Sequence, residues 1–212
     1  MTTSLDKTVV IAQIDDNRRR VMKLVDGIPM RARAIATLLE SDSVGAQYFT
    51  SPASSRVDFH SAYPGGLAAH SLNVLDQAIE LMAAVPEFTG LSMPSVVLVS
   101  LFHDLGKAGD EDGPLYVPQT THWKAEKGEL FTHNTALRPM SVPDRTLFML
   151  QRYGVMLEHE EFLAMRLHDG QYVQENKWYS MKEPALAILL HWADLAATRQ
   201  EKNAHRPTGE KT

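Results

Sequence analysis

The chain contains no cysteine, which excludes disulfides and thiolate metal sites and leaves His, Asp and Glu as the strong metal ligands. Long apolar runs are lacking too. The longest, at 95–102 and 185–190, fall far short of the ~20 residues a membrane-spanning helix needs. The first residues show no basic segment followed by an apolar core, so no signal peptide is expected. No internal repeat, low-complexity tract or interdomain linker interrupts the chain. Nor is there an excess of positive charge: 21 Lys and Arg against 26 Asp and Glu leave a formal net charge of -5, whereas proteins that track a polyanion usually carry a basic face. These absences set the expectation of a cytoplasmic protein without membrane contact, for which long nucleic acid is not the favoured partner and homo-oligomerisation stays open.

What is present is the composition of a folded domain. Of 212 residues, 44% are hydrophobic and 22% charged, enough for a sizeable core. Apolar residues recur at helical spacing, with Gly and Pro as punctuation. The pattern predicts helices at 5–25, 29–40, 67–84, 94–105, 143–153, 158–167 and 184–198. Residues 41–66 read as an irregular connection, about 108–142 as a polar insertion or lid, and 201–212 as a polar tail. The expected fold is all-α: a single helical bundle at 49–200, with the helices of 1–48 packed on it. Arg18, Arg19 and Arg20 form a basic run, but Asp15 and Asp16 precede Arg19 and Arg20 by four residues, the spacing of salt-bridged neighbours on a solvated helix.

The chemistry centres on Phe102-His103-Asp104-Leu105-Gly106-Lys107, where an adjacent His and Asp interrupt the end of an otherwise apolar helix. Imidazole and carboxylate are good ligands for divalent metals, and an unpaired buried carboxylate is costly. A surface pair of Asp104 with Lys107 at a capped helix end would explain the dipeptide alone. It does not explain Asp194, another carboxylate in an apolar run (Leu189-Leu190-His191-Trp192-Ala193-Asp194), or His70 on the inner face of an earlier helix. One His, a His-Asp pair and a distant Asp can supply four ligands to one metal and leave positions open for water and substrate.

These residues resemble the HD superfamily of metal-dependent phosphohydrolases, whose pattern is H, HD, D. Ser51-Pro52-Ala53-Ser54, His60 and Tyr63-Pro64-Gly65-Gly66-Leu67-Ala68-Ala69-His70 are similar to the segment entering the HD domains of certain bacterial 3'-5' exoribonucleases and conjugative relaxases. The resemblance spans roughly residues 49–198. It implies an all-helical fold and a divalent metal (Mn, Fe, Ni, Zn or Mg; one ion or two) held by His70, His103, Asp104 and Asp194. It also implies hydrolysis by attack of metal-activated water on phosphorus. Asp104 would orient that water, and Lys107 or His168 would neutralise charge growing on phosphoryl oxygens.

His168, in Leu167-His168-Asp169-Gly170, resembles the later His that some HD phosphodiesterases use for a second metal. His122 or His133 would complete such a pair, although these and His159 read more simply as surface or loop histidines. His191 lies three residues before Asp194, as an outer partner of the site or a satisfied core His. His60 contacts substrate or anchors its loop. Tyr116 and Trp123 stack on a base or pack the insertion. Rival motifs fail: His159-Glu160 meets Leu163 where a metalloprotease needs His, and Gly209-Glu210-Lys211-Thr212 lacks the preceding glycine loop of a P-loop. The expected substrate is a nucleotide, whether a nucleoside mono- or triphosphate or a cyclic or short oligonucleotide. The alternatives are a 3'-5' exonuclease on single strands and a non-catalytic nucleotide-sensing or partner-binding module.

Overall fold

The computed structural model describes residues 7–204. The expected helix start at Leu5 and the end of the chain from residue 205, with its Gly209 to Thr212 motif, lie outside the described residues. Within them the protein is a mostly helical bundle: α1 (Lys7–Val25), α2 (Ala32–Leu39), α3 (Val44–Thr50), α4 (Gly66–Ala84), α5 (Met93–Phe102), α6 (His122–Glu126), α7 (Val142–Arg152), α8 (His159–Leu167) and α9 (Ala185–Ala204). Two short antiparallel hairpins occupy the polar insertion. β1 (Gly109–Asp110) pairs with β2 (Gly113–Pro114), and β3 (Tyr116–Pro118) pairs with β4 (Phe131–His133), with Tyr116 opposite His133. No described helix is long and apolar enough to cross a membrane.

The core forms around α5. Pro94 sits in its first turn, where a missing N–H costs nothing, and every residue from Val96 to Phe102 is buried. A helix apolar all round needs partners on all sides. α4, α8, α9 and α1 provide them. Val21, Val25, Ile35 and Leu38 of the first two helices join the same cluster of buried apolar side chains as α4, α5 and α9. α7 is started by Ser141, whose hydroxyl accepts from Asp144 N at 3.2 Å. α8 starts with a capping box in which Glu158 N donates to Glu161 Oε2 at 2.8 Å.

Three differences from the sequence reading have local causes. The connection at 41–66 is not wholly irregular, because it contains α3. Val44, Tyr48 and Phe49 are buried there, and Gly45 lets the helix approach α2 so closely that a Cβ would stand 2.3 Å from Leu39 O. Two helical turns are too short to show a period among Ser and Gly residues. α9 runs past residue 200 to Ala204, so the expected tail boundary at 201 falls inside a helix. The basic run of α1 pairs differently as well: Arg19 bonds Asp16 at 3.1 Å, Arg20 meets Asp76 of α4, and the Arg18 guanidinium lies 4.4 Å from the Phe49 ring centre.

Candidate metal centre

α5 ends at Phe102, earlier than its apolar pattern suggests, and the chain tightens into a 3-10 turn over Leu105–Lys107. The change of pitch is held from α7. Thr146 Oγ1 donates to His103 O at 3.1 Å and accepts from Gly106 N at 2.8 Å. A Cβ at Gly106 would stand 2.3 Å from Val142 O, so only glycine lets α7 come this near. The turn brings Lys107 Nζ within 2.6 Å of Asp104 Oδ2.

Around this turn the side chains singled out in the sequence converge. His70 comes from α4, His103 and Asp104 from the end of α5, His168 from the end of α8 and Asp194 from α9. His70 Nε2 lies 3.1 Å from Asp194 Oδ1 and 3.8 Å from Asp104 Oδ2. His103 Nε2 lies 3.4 Å from Asp104 Oδ2 and 4.0 Å from Asp194 Oδ1. His168 Nε2 stands 3.5 Å from Asp104 Oδ1. His70, His103, Asp104 and His168 are buried, whereas Asp194 keeps 22% of its side chain exposed. Of these five side chains, Asp194 is the one that reaches solvent.

The outer nitrogens of the rings are already committed. His103 Nδ1 bonds Ser100 O at 2.9 Å, His168 Nδ1 bonds Met165 O at 2.8 Å, and His70 Nδ1 bonds Glu201 Oε1 at 3.0 Å. Carbonyl and carboxylate oxygens only accept, so each Nδ1 must carry the proton. In a neutral ring that leaves Nε2 as a lone pair turned toward carboxylates. Nε2 of His70 and of His103 are both buried without a hydrogen-bond partner. A lone pair facing an anion in a buried site requires a cation between them, a proton or a metal ion. Two groups, His70 with His103 and Asp194, and His103 with Asp104 and His168, each place three ligand atoms within 4.8 Å of one another. These residues fit a divalent ion bound through mixed N and O ligands, a set that does not choose among Mn, Fe, Ni, Zn and Mg.

The same field governs protonation. Burial opposes charge on His70, but the adjacent carboxylates of Asp194 and Glu201 outweigh it and lift the ring to about 9. His168 is likewise disfavoured as a cation by burial and lifted by Asp104, also to about 9. Asp104 is opposed by burial but held well below the usual carboxylate range by Lys107 and His103. Lys107 is pushed above its ordinary value by Asp104 against the effect of burial. His60 goes the other way: burial, with the nearby positive charge of His70 and Lys107, pushes it down to about 4.

The remaining sequence candidates divide. The His60 ring lies 4.5 Å from the His70 ring, with its Nε2 buried and unpartnered. Tyr116 feels Lys107 and then Asp104 after its own burial, which raises its phenol. Its ring stacks on His133 at 5.3 Å. Trp123 is exposed, and its ring meets Lys127 and Lys124 rather than the cluster. His122 is exposed and pairs with Glu126, so it does not join His168. His159 begins α8. His191 Nδ1 bonds His168 O at 2.7 Å, supporting the loop behind that histidine.

Glu201 escaped the sequence reading. Its signal was a seven-residue step from Asp194, two turns along one face, masked by the polar composition of the final helical turns. Comparison with family models, with curated proteins and with solved structures finds no match.

Proposed function

We propose that the protein is a metal-dependent phosphohydrolase of the HD class acting on a nucleotide. The observation that carries this reading is the convergence of His70, His103, Asp104 and Asp194, with Lys107 alongside, in a buried cluster from which Asp194 reaches solvent. His70, His103, Asp104 and Asp194 would hold the ion, which supplies Lewis-acid polarisation of a phosphoryl oxygen and acidification of water. Asp104 presents acceptor oxygens to an attacking water. The Lys107 ammonium, fixed beside Asp104, sits where a phosphoryl group gaining negative charge is stabilised. His60 is neutral near pH 7 and offers a hydrogen-bonding imidazole with no charge of its own. Tyr116 is near enough to Lys107 to feel its charge, and its ring would cover a bound base.

The test is hydrolysis by the purified protein of nucleoside mono- and triphosphates, cyclic nucleotides and labelled single strands, each with Mn, Fe, Ni, Zn or Mg. Turnover of a small nucleotide that disappears in His103→Ala is the expected result. A folded, metal-loaded protein inert toward the whole panel would overturn the reading.

One observation favours a second reading, a 3'-5' exonuclease on single strands. Next to His60, the exposed Phe59 ring has Lys202 at 5.5 Å and Arg56 at 5.9 Å. Val57 N donates to Gly128 O at 2.9 Å, which joins this loop to the turn after α6. There Trp123 is exposed with Lys127 at 5.1 Å. Exposed aromatics beside cations are the elements of a stacking surface for single strands. Affinity that falls steeply with salt, together with no mononucleotide turnover, is the outcome that selects this reading over the first.

A further inference from the structure

Glu201 stands two turns beyond Asp194 on α9 and is buried. Among the described residues its carboxylate accepts from His70 Nδ1 at 3.0 Å and Asn73 Nδ2 at 3.0 Å, both of α4, and from Ser61 Oγ at 2.7 Å in the preceding loop. Such bonds to an ionised acceptor are the strong ones, and together they offset much of the cost of burying the charge.

The loop end of this arrangement is held against its own preference. Ser61 has φ +45°, a region that L residues seldom occupy. Its carbonyl accepts from Ala53 N at 3.0 Å. That carbonyl also lies so close to the start of α4 that a Cβ at Gly66 would stand 2.0 Å from it. His60, the next residue back, covers the His70 ring. One carboxylate thus touches both the ring facing the ligand cluster and the loop lying over that ring.

We propose that Glu201 is a positioning residue. It holds His70 with its proton on Nδ1 and its Nε2 turned into the ligand cluster, and it latches the 51–65 loop against that ring. Without an acceptor at Nδ1, the ring is free to move its proton to Nε2 or to turn about its side chain, and either change removes the lone pair from the cluster. The assignment rests on the metal-site reading above.

The experiment uses the full chain with 15N-labelled histidine and Zn2+ alone as the probe. Zn2+ affinity is measured by calorimetry in the wild type, Glu201→Ala, Glu201→Gln and Asn73→Ala. The state of His70 is read from its Nδ1–H signal in the Zn2+-loaded protein, and the latch from exchange of the Ala53 amide. Glu201→Ala is expected to weaken Zn2+ binding by roughly 10 to 100-fold, the usual effect of removing an outer partner of a metal-bound His. It should also lose the slowly exchanging Nδ1–H signal and the protection of Ala53. Glu201→Gln retains an acceptor oxygen and should keep the signal with less than about a tenfold loss. Asn73→Ala, which takes a donor from Glu201 but nothing from His70, should stay near wild type. Wild-type affinity and an intact Nδ1–H signal in Glu201→Ala would overturn the proposal. Equal losses in Glu201→Gln and Glu201→Ala would also overturn it, because packing and not acceptance would then explain them. If Glu201→Ala does not fold, loss of the Nδ1–H signal in folded Glu201→Gln is the overturning result. A folded wild type that takes up no Zn2+ removes the metal site itself and the assignment with it.

Discussion

Thr146 of α7 and His103 at the end of α5 are joined through one hydroxyl, which donates to the His103 carbonyl at 3.1 Å while accepting from Gly106 N at 2.8 Å. A single side chain from a neighbouring helix therefore closes the turn on which His103, Asp104 and Lys107 sit. Thr146→Val keeps the shape and deletes both bonds, leaving a buried N–H without a partner. Stability should fall by about 1 to 3 kcal/mol. Metal affinity should fall with it, since the turn sets the direction of Asp104. Denaturant unfolding and calorimetry on the same preparation check both; an unchanged midpoint would show that water or backbone readily replaces the hydroxyl.

Asp104 both faces the ligand cluster and neutralises Lys107. Asp104→Asn should cost more metal affinity than the roughly 10 to 100-fold typical of an outer partner. It should also destabilise the protein by about 3 kcal/mol, because the largely buried Lys107 ammonium loses its counter-charge. Adding Lys107→Met should recover most of the stability and none of the metal binding. Parallel recovery of both would mean that Asp104 acts only as the lysine's partner.

Metal uptake should release protons. In the metal-free protein His70 is lifted to about 9 from 6.5, so near pH 7 its ring is charged, and an ion must displace the Nε2 proton. Affinity should therefore rise with pH up to about 9. Calorimetry near pH 7 in buffers of different ionisation enthalpy should give a slope near one proton released; a zero slope rules out competition at His70. Metal-free stability follows with the opposite sign. The contribution of the raised His70 and His168 is complete below 6.5 and lost as pH rises through about 9. That of the lowered Asp104 and Glu201 is complete above 4.5 and lost as pH falls through their depressed values. Both contributions are in place between those limits.

His168→Ala should leave one ion per chain and slow turnover about a hundredfold, the effect of removing a group that stabilises developing charge. Elemental analysis with single-turnover kinetics checks this. A fall from two ions to one would instead assign the His103, Asp104 and His168 group to a second metal. Full activity with unchanged metal content would leave His168 as a structural residue.

The all-α class and the longer helices were legible because each carries its own apolar face or its own caps. α4, α7 and α8 lie where the spacing of apolar residues and the Pro, Ser and Gly signals put them, and α5 and α9 start there but end elsewhere. α3 was not legible, because two turns in a Ser- and Gly-rich stretch show no period. The hairpins of the insertion pair only two or three residues each, too few for alternation to register.

At the site, the order of residues alone marks the side chains that are out of place: a carboxylate in the apolar run of α9, a His-Asp pair at the end of a buried helix, and a His on an inner face. That much is local, because a charged group in an apolar segment needs a partner whatever the fold. It could not determine which groups meet. That His168 reaches Asp104 while His122 and Trp123 stay at the surface depends on how α8 packs on α9 and how the insertion folds. Glu201 shows the limit most plainly: its last helical turns read as a polar tail, and only the packing of α9 on α4 puts that carboxylate behind His70, 131 positions away in the chain.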